Sequence, residues 1–256
     1  ELRIFSNNGA YASHGHSIAS KALNCFHQLY PCENVKAEAY SIYTNLPTGG
    51  AMRGYGIPQA MFVNESHHDE VAKALGMDPL ELKLRNVMPK DYYDPFSHNQ
   101  NYFDSFRACL EKGAKEMDYY KKKEKYQNQT GNYRRGVGCA VYWYNTGVYP
   151  ISLESSSCRM IVNEDGSVQV QLPETEIGQC ADTAFSKMAA DAIGMKFEDI
   201  HIVSNQDTDV APFGFGAYAS RQTYMASFSI TKTAKSLKKK ILHRAYLQTG
   251  ITEDNL

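Results

Sequence analysis

A glycine-rich loop supplies the first residues that could hold a ligand. It reads Gly49-Gly50-Ala51-Met52-Arg53-Gly54-Tyr55-Gly56. Glycine lets a backbone lie against a ligand and adopt a positive φ, and an arginine offers a planar fork of donors to phosphate or carbonyl groups. The segment therefore indicates a loop that holds a polar, anionic cofactor. A tight surface turn with an exposed arginine is the alternative.

Two further loops have the same character. Residues 174–180 bring Gln179 and free backbone N–H groups to the start of a predicted helix, which is a natural site for anions. Residues 214–221 precede a long predicted helix, where Ser220 and the first helical amides can donate to a phosphate or a ring. The three loops offer many donors and no obvious acid or base. They favour a large polar cofactor that itself carries the reactive chemistry.

Other chemically capable side chains are weaker candidates. His14 and His16 lie close together, as do His67 and His68, but no cysteine or carboxylate stands at a convincing zinc spacing from them. Cys180 stands near a predicted helix N-terminus, where a thiolate would be stabilised. A packed, unreactive thiol is the favoured alternative there.

The bulk composition narrows the class of protein. A net charge of −1 over 256 residues draws neither nucleic acid nor an anionic membrane surface, and no apolar run is long enough to span a bilayer. Six cysteines without a C-x-x-C pair predict mostly reduced, buried thiols of a cytoplasmic protein. The chain begins without a methionine, in what reads as the middle of a strand. We therefore expect a fragment or a processed subunit.

The order of elements predicts an α+β fold with two mixed α/β sub-domains, residues 1–130 and 131–256, separated by the polar stretch 127–134. Within the first, Asp78 followed by Pro79 predicts a capped helix start. Phe103 to Tyr126 is predicted as one helix.

In the second sub-domain we expect a strand at Gly136–Tyr144 and a hairpin turning at residues 163–166. A helix over 182–193 should end at Gly194, and a long helix should run from Thr223 to about Gln248.

The three loops also carry a family resemblance. Thr44-Asn45-Leu46-Pro47 with residues 51–56 resembles the T-N-x-P…A-F-R-G-F-G signature of the xanthine dehydrogenase family of molybdenum hydroxylases, which includes aldehyde oxidoreductases. Residues 78–86 resemble the D-P-x-E-x-R-x-x-N segment that follows. Residues 176–180 are similar to the E-M-G-Q-G pterin loop, and residues 207–221 to the D-T-D…P…G-x-Y-A-S-R loop. Order and spacing agree over essentially the whole chain.

The resemblance implies a molybdenum-cofactor-binding domain that holds molybdopterin. Such enzymes oxidise a purine, another N-heterocycle or an aldehyde with water as the oxygen source. Electrons leave through iron–sulfur clusters and often FAD, which we expect on other domains or subunits.

Carried over residue by residue, the resemblance assigns roles in three groups. Arg53 and Ala219 would lie near molybdenum without being side-chain ligands. Lys21, Tyr55 and Tyr149 would contact the substrate, with Val148 close by. The residues implied to bind the cofactor are Met52, Arg53, Gly54, Gly178, Gln179, Cys180, Ala219, Ser220 and Arg221.

Two substitutions depart from the family pattern. Lys21 stands where xanthine-oxidising members have an arginine, so it keeps the charge but loses the fork of donors. Cys180 replaces a glycine of the pterin loop. The family's catalytic glutamate has no counterpart in this chain, so we expect the isolated chain to be inactive. A binding or assembly module that kept the fold and lost catalysis is the alternative.

Overall fold

The computed structural model describes residues 1–148, 153–203 and 207–255. The chain divides into two compact units, Glu1–Tyr144 and Asn145–Leu256. Both units combine helices with short strands, which confirms the predicted α+β class. The division falls beyond residue 130 because Val137, Cys139 and Trp143 pack against the core of the first unit. It stays a prediction that two separate binding sub-domains are formed by residues 1–130 and 131–256.

The first unit begins with a parallel strand pair and its crossover helix. β1 (Leu2–Gly9) pairs with β2 (Ala37–Tyr43), with Leu2 opposite Ala37. Parallel neighbours need a long connection, and α1 (Gly15–Phe26) supplies it. The small residues of α1, Ala19 and Ala22, are buried, so the helix lies close to its neighbours.

Two helices follow the glycine-rich loop. α2 (Ile57–Ala74) has a proline in its first turn, and α3 (Pro79–Asn86) begins after Asp78. The Asp78 carboxylate accepts from the backbone N–H of Leu80 at 2.9 Å and of Glu81 at 3.4 Å. The capped start predicted from the sequence is confirmed, since a side-chain oxygen satisfies helix N–H groups that lack a partner.

The helix predicted over residues 103–126 is wrong as a single element. After the small hairpin of β3 (Tyr93–Asp94) and β4 (Asn99–Gln100) come two helices, α4 (Ser105–Glu116) and α5 (Tyr119–Lys125). Asp118 separates them with a left-handed φ of 53°. The helices turn there because Leu110 and Tyr119 are both buried in the same core.

The strand predicted at residues 136–144 is also wrong. The segment belongs to no sheet in the described part of the chain, and long-range side chains satisfy its polar groups instead. Glu65 accepts from the backbone N–H of Val141 at 2.9 Å. The indole N–H of Trp143 donates to the carbonyl of Cys25 at 3.3 Å.

The second unit is a three-stranded sheet against two helices. β5 (Arg159–Val162) and β6 (Val168–Gln171) form the predicted antiparallel hairpin, and β7 (Ile200–Val203) joins β6 in parallel. α6 (Ala181–Ile193) is the crossover and ends at Gly194, whose φ of 87° confirms the predicted glycine stop. α7 (Gln222–Thr249) is the predicted long helix. The core between these elements contains Val168, Val170, Phe185, Ala226 and Ile230.

The composition led to two expectations, one about membrane spans and one about the burial of the cysteines. Among the described residues, no helix is long and apolar enough to cross a membrane. The expectation of mostly buried cysteines is wrong, because Cys32, Cys109 and Cys180 are exposed. Burial raises the pKa of Cys25 and of Cys158 to about 11, so these two thiols match the expectation.

Candidate functional site

The base of the glycine-rich loop is tied to the end of β1. Thr44 donates its hydroxyl to Asn7 Oδ1 at 2.8 Å and its N–H to the carbonyl of Gly9 at 3.1 Å. Gly49 donates its N–H to the carbonyl of Asn8 at 3.0 Å. A β-carbon on Gly49 would lie 2.8 Å from the carbonyl oxygen of Asn7, so only glycine fits. The strand therefore fixes the path of the loop before any ligand binds.

The tip of this loop has three consecutive left-handed residues. Gly54, Tyr55 and Gly56 have φ values of 90°, 52° and 89°. A β-carbon on Gly56 would lie 2.7 Å from the carbonyl oxygen of Ile18 on α1. This tight turn starts α2, and the preceding Met52 is 79% exposed.

Arg53 and Tyr55 have different surroundings at this tip. The Arg53 side chain is exposed, as the predicted role in holding a cofactor requires. The Tyr55 hydroxyl instead donates to the carbonyl of His14 at 3.3 Å. Tyr55 thus anchors the loop to the residue before α1, while Arg53 stays exposed to solvent.

The predicted substrate residues lie in different surroundings. On α1, the Lys21 ammonium lies 5.4 Å from the centroid of the Tyr144 ring, a cation–π contact within the first unit. Tyr149 lies outside the described residues. Neighbouring Val148 donates its N–H to Glu154 Oε1 at 2.7 Å. Lys21 therefore has an aromatic partner of its own in the first unit.

The helix N-terminus of the second loop already holds a carboxylate. Glu176 accepts from the N–H of Gly178 at 2.7 Å, of Cys180 at 3.2 Å and of Asp182 at 3.2 Å. Several backbone N–H donors lower the Glu176 pKa, and the N–H of Asp182 has the largest effect. The expectation of free backbone donors at this helix start is wrong, because the chain supplies its own anion.

Gln179 connects the second loop to the start of α7. Its Oε1 accepts from the N–H of Ile177 at 2.7 Å. Its Nε2 donates to the carbonyl of Thr175 at 2.9 Å and to Gln222 Oε1 at 3.2 Å. Gln222 in turn donates to the carbonyl of Thr175 at 2.9 Å. Sequence reasoning missed Gln222, although an amide directly after the predicted Ser220–Arg221 pair was a readable signal.

The third loop carries two strained residues in succession. Ala219 and Ser220 have φ values of 48° and 57°, a conformation that costs L-residues free energy. The Ala219 carbonyl accepts from the N–H of Gly147 at 2.7 Å. Such strain is found where the surrounding structure holds a segment in place for a function. The Ser220 side chain is exposed at this turn.

Arg221 points into the second unit. It is fully buried, donates Nη1 to the carbonyl of Gly216 at 2.8 Å, and makes further bonds to Glu154 and the carbonyl of Ser155. Its guanidinium also lies 5.5 Å from the centroid of the Tyr218 ring. In this conformation Arg221 shapes the third loop from inside, whereas the sequence suggested direct contact with a cofactor. That role for Arg221 stays a prediction.

Two glutamates around Arg221, the half-buried Glu154 and the buried Glu174, were not anticipated from the sequence. Glu154 pairs with it, and Glu174 lies 4.0 Å from it. Ser156 donates its hydroxyl to Glu174 at 2.6 Å. Burial raises the Glu174 pKa more than Ser156 and Arg221 lower it, so the pKa stays above its ordinary value. For Glu154, the signal was a charged residue directly before three serines, residues 155–157.

The exposed backbone of the second and third loops leaves room for a large polar group. A β-carbon added to Gly178 or to Gly216 would meet nothing within 4 Å, and both glycines have positive φ. Gln179 and Ser220 stand exposed beside them. Open backbone with nearby amide and hydroxyl groups fits a pterin, which needs donors and acceptors along a flat edge. The glycine-rich loop, residues 49–56, lies in the first unit. That it forms one cradle with the second and third loops stays a prediction.

The family comparison identifies the class of domain. Residues 1–87 and 112–256 match two family models, each described as a molybdopterin cofactor-binding domain. The chain therefore belongs to the molybdopterin cofactor-binding domain family.

Curated relatives agree over nearly all of the chain. The chain is 46% identical over 255 residues to a putative xanthine dehydrogenase molybdenum-binding subunit of Escherichia coli, covering 100% of this chain and 34% of the relative. A probable hypoxanthine oxidase of Escherichia coli is 28% identical over 256 residues, with 96% and 26% covered. The chain thus spans about a third of the length of the first relative and about a quarter of the second.

Solved structures share the fold. An aldehyde oxidoreductase of Desulfovibrio desulfuricans superposes with a TM-score of 0.76 at 27% identity, over 91% of this chain and 26% of that one. A carbon monoxide dehydrogenase of Oligotropha carboxidovorans gives 0.79 at 19% identity, over 98% and 34%. The second likeness supports the fold alone.

Proposed function

We propose that this chain is the cofactor-binding portion of a molybdenum hydroxylase that oxidises a purine, another N-heterocycle or an aldehyde. The observation that carries the proposal is the pair of linked loops, Gln179 against Gln222, inside a chain whose two halves match molybdopterin-binding families. The bound cofactor would supply redox chemistry, with water as the source of oxygen.

The residues of this chain would position the cofactor. The exposed tip of the first loop supports the assignment of Met52, Arg53 and Gly54, because Arg53 can donate to an anionic group. In the second unit, Gly178, Gln179 and Cys180 would line the pterin, and Ala219 and Ser220 would approach the metal. Arg221 would act from beneath by holding the strained turn in shape. Arg53 and Ala219 would lie near molybdenum without being ligands.

Lys21, Tyr55 and Tyr149 would lie on the substrate side. Lys21 retains a positive charge but cannot offer the paired donors of an arginine. A carbonyl-bearing purine would therefore bind less tightly than in an arginine-containing relative. A substrate screen should therefore include nicotinate, because a lysine can bind its carboxylate. Aldehydes belong in the same screen.

The isolated chain would be inactive, because none of its residues is assigned as the general base. The complete enzyme would combine it with iron–sulfur and FAD domains or subunits, in the cytoplasm. The alternative is a binding or assembly module without catalysis. The Glu176 carboxylate in the pterin loop favours that alternative, since it takes donors an anionic cofactor could use.

Molybdenum content measured by mass spectrometry tests the proposal in the full-length protein with its partner subunits. We expect stoichiometric molybdenum and oxidation of at least one screened substrate, whereas this chain alone oxidises none. Arg53→Leu should lower the molybdenum content, and Arg134→Leu, at another exposed arginine, should leave it unchanged. Folded full-length protein without molybdenum would establish the assembly module. Substrate oxidation by the chain alone would refute the predicted inactivity.

A further inference from the structure

The middle of the segment 136–144 is anchored to α2. The backbone N–H of Val141 donates to Glu65 Oε2 at 2.9 Å, and the Tyr30 hydroxyl donates to Glu65 Oε1 at 2.6 Å. Glu65 lies on α2 and is only 6% exposed. Because both of its oxygens accept hydrogen bonds, this buried carboxylate fixes the position of Val141 in the first unit.

The end of the same segment contacts α1. The Trp143 indole N–H donates to the carbonyl of Cys25 at 3.3 Å, and the Lys21 ammonium lies 5.4 Å from the centroid of the Tyr144 ring. Lys21 and Cys25 are four residues apart on α1, so they lie on the same face of the helix. Trp143 therefore holds the neighbouring Tyr144 against the turn of α1 that carries Lys21.

Tyr144 limits the orientations of the Lys21 side chain. A lysine ammonium is a compact charge on a flexible stem, and an aromatic ring within about 6 Å attracts it through the negative charge of the ring face. Both side chains are half-buried, so water competes less with this attraction. One ring faces only one side of an ammonium that has several N–H donors. The contact therefore orients Lys21 and still allows it to donate to a further group.

Orientation matters more for a lysine than for an arginine. An arginine presents its donors in a rigid planar fork, whereas a lysine loses more conformational freedom when it binds the same acceptor. A side chain that is ordered before its ligand arrives binds that ligand more tightly, because less entropy is lost on binding. The Tyr144 ring thus supplies part of the order that the Lys21 side chain lacks by itself.

We propose that Tyr144 is a positioning residue for the substrate. Its ring holds the Lys21 ammonium in the orientation in which Lys21 donates to a carboxylate or a ring carbonyl of the substrate. The proposal rests on the substrate role proposed above for Lys21 and adds the residue that orders it. Tyr144 acts through Lys21, so its loss weakens substrate binding and leaves the chemical step unchanged.

The reactivity of the Lys21 amine tests the contact without any substrate. The purified full-length protein is acetylated for timed intervals, and mass spectrometry follows Lys21 relative to the exposed Lys36. Tyr144→Leu should raise the rate at Lys21 by about threefold or more, because the ring shields the ammonium and favours its charged, unreactive form. Tyr144→Phe keeps the ring and should react like the unmodified protein.

A neighbouring tyrosine provides the control for this measurement. Tyr142 is 72% exposed, and Tyr142→Leu should leave the acetylation rate of Lys21 unchanged. An unchanged rate at Lys21 in folded Tyr144→Leu protein would overturn the proposal.

Steady-state kinetics of the same variants test the role in substrate binding. With the best substrate of the screen, Tyr144→Leu should raise KM by about threefold or more and leave kcat nearly unchanged, because the lost contact affects binding and not the chemical step. Tyr144→Phe should keep KM near that of the unmodified protein. In a Lys21→Met background, Tyr144→Leu should have no further effect on KM, since residues that act as a pair give non-additive effects. An effect that persists in that background would show that Tyr144 does not act through Lys21.

A ring variant decides the proposal if Tyr144→Leu does not fold. Replacing Tyr144 with a ring-fluorinated phenylalanine keeps the shape of the side chain and weakens the negative charge of the ring face. The acetylation rate of Lys21 and the KM should then both exceed those of Tyr144→Phe, and equal values would overturn the proposal. Unchanged KM in active Tyr144→Leu protein refutes this proposal alone. Unmodified protein that oxidises no screened substrate refutes the proposed function, and this proposal falls with it.

Discussion

Arg221 and Glu154 form an ion pair inside the second unit, with Arg221 fully buried and the Glu154 side chain 13% exposed. Arg221 directly follows the strained residues Ala219 and Ser220 in the chain. The ion pair connects the segment before β5 to the start of α7. The shape of the third loop therefore depends on a side chain that the loop does not contain.

Removal of Glu154 should destabilise the second unit strongly. Glu154→Ala removes the carboxylate bonded to the buried Arg221 and leaves only Glu174, 4.0 Å away, to balance its charge, and breaking a buried pair on one side costs about 3–5 kcal/mol. The measurement is the free energy of unfolding in urea. Glu164→Ala, at an exposed glutamate of the β5–β6 turn, should change that free energy by less than about 0.5 kcal/mol. Equal effects of the two substitutions would show that the pair carries little stability.

Glu176 should make the start of α6 sensitive to acid. Backbone N–H groups, Asp182 first, hold its pKa below the ordinary value. A carboxylate with a lowered pKa in the folded state contributes stability above its unfolded pKa, and the contribution is lost as pH falls through the folded pKa.

The test of Glu176 compares the unmodified chain with Glu176→Gln. At neutral pH the variant should be less stable, and the amides of Gly178, Cys180 and Asp182 should exchange faster with solvent. The difference in stability should shrink as pH falls below the ordinary glutamate pKa, and it should vanish once pH lies below the lowered pKa of the folded carboxyl. A pH-independent difference would rule out the charge as its origin. Glu164→Gln serves as the control.

Cys180 should be replaceable by glycine with a gain in stability. It occupies a left-handed conformation with φ of 62°, which costs an L-residue about 1 kcal/mol or more. Cys180→Gly should therefore raise the free energy of unfolding by up to about 1 kcal/mol, whereas Cys109→Gly on α4 should lower it by about the same amount. A loss of stability in Cys180→Gly would mean that its side chain makes an essential contact.

The six thiols should react at very different rates with an alkylating reagent. Burial raises the pKa of Cys25 and Cys158 from 9.0 to about 11, which reduces the reactive thiolate about a hundredfold near neutral pH. Mass spectrometry after timed alkylation should find the exposed Cys32, Cys109 and Cys180 labelled first. Prompt labelling of Cys158 in folded protein would show that the second unit opens locally.

Some elements follow from short-range patterns that the sequence displays directly. Asp78 before Pro79 determines a helix start, and Gly194 determines a helix end. Residues 163–166 determine a hairpin turn. Each of these depends on the backbone preferences of a few neighbouring residues. The glycine-rich loop belongs to the same group. Gly54 and Gly56 show positive φ, as their residue type permits.

Other features depend on partners far away in the chain. Residues 136–144 have the sequence pattern of a strand but form none. The backbone N–H of Val141 donates to Glu65 and not to a neighbouring strand. The break at Asp118 follows from two buried side chains on either side of it, which no local preference reveals.

For this protein, the sequence alone determined the residue types of the loops, their order, and hence the family. Only the tertiary structure decided which of their polar groups remain available. It directs Arg221 inward to Glu154, and it places Glu176 on the backbone N–H groups of Gly178, Cys180 and Asp182, where free donors were expected. The physical reason is that a hydrogen-bond donor serves whichever acceptor the folded chain brings within about 3 Å, and sequence spacing does not define that distance.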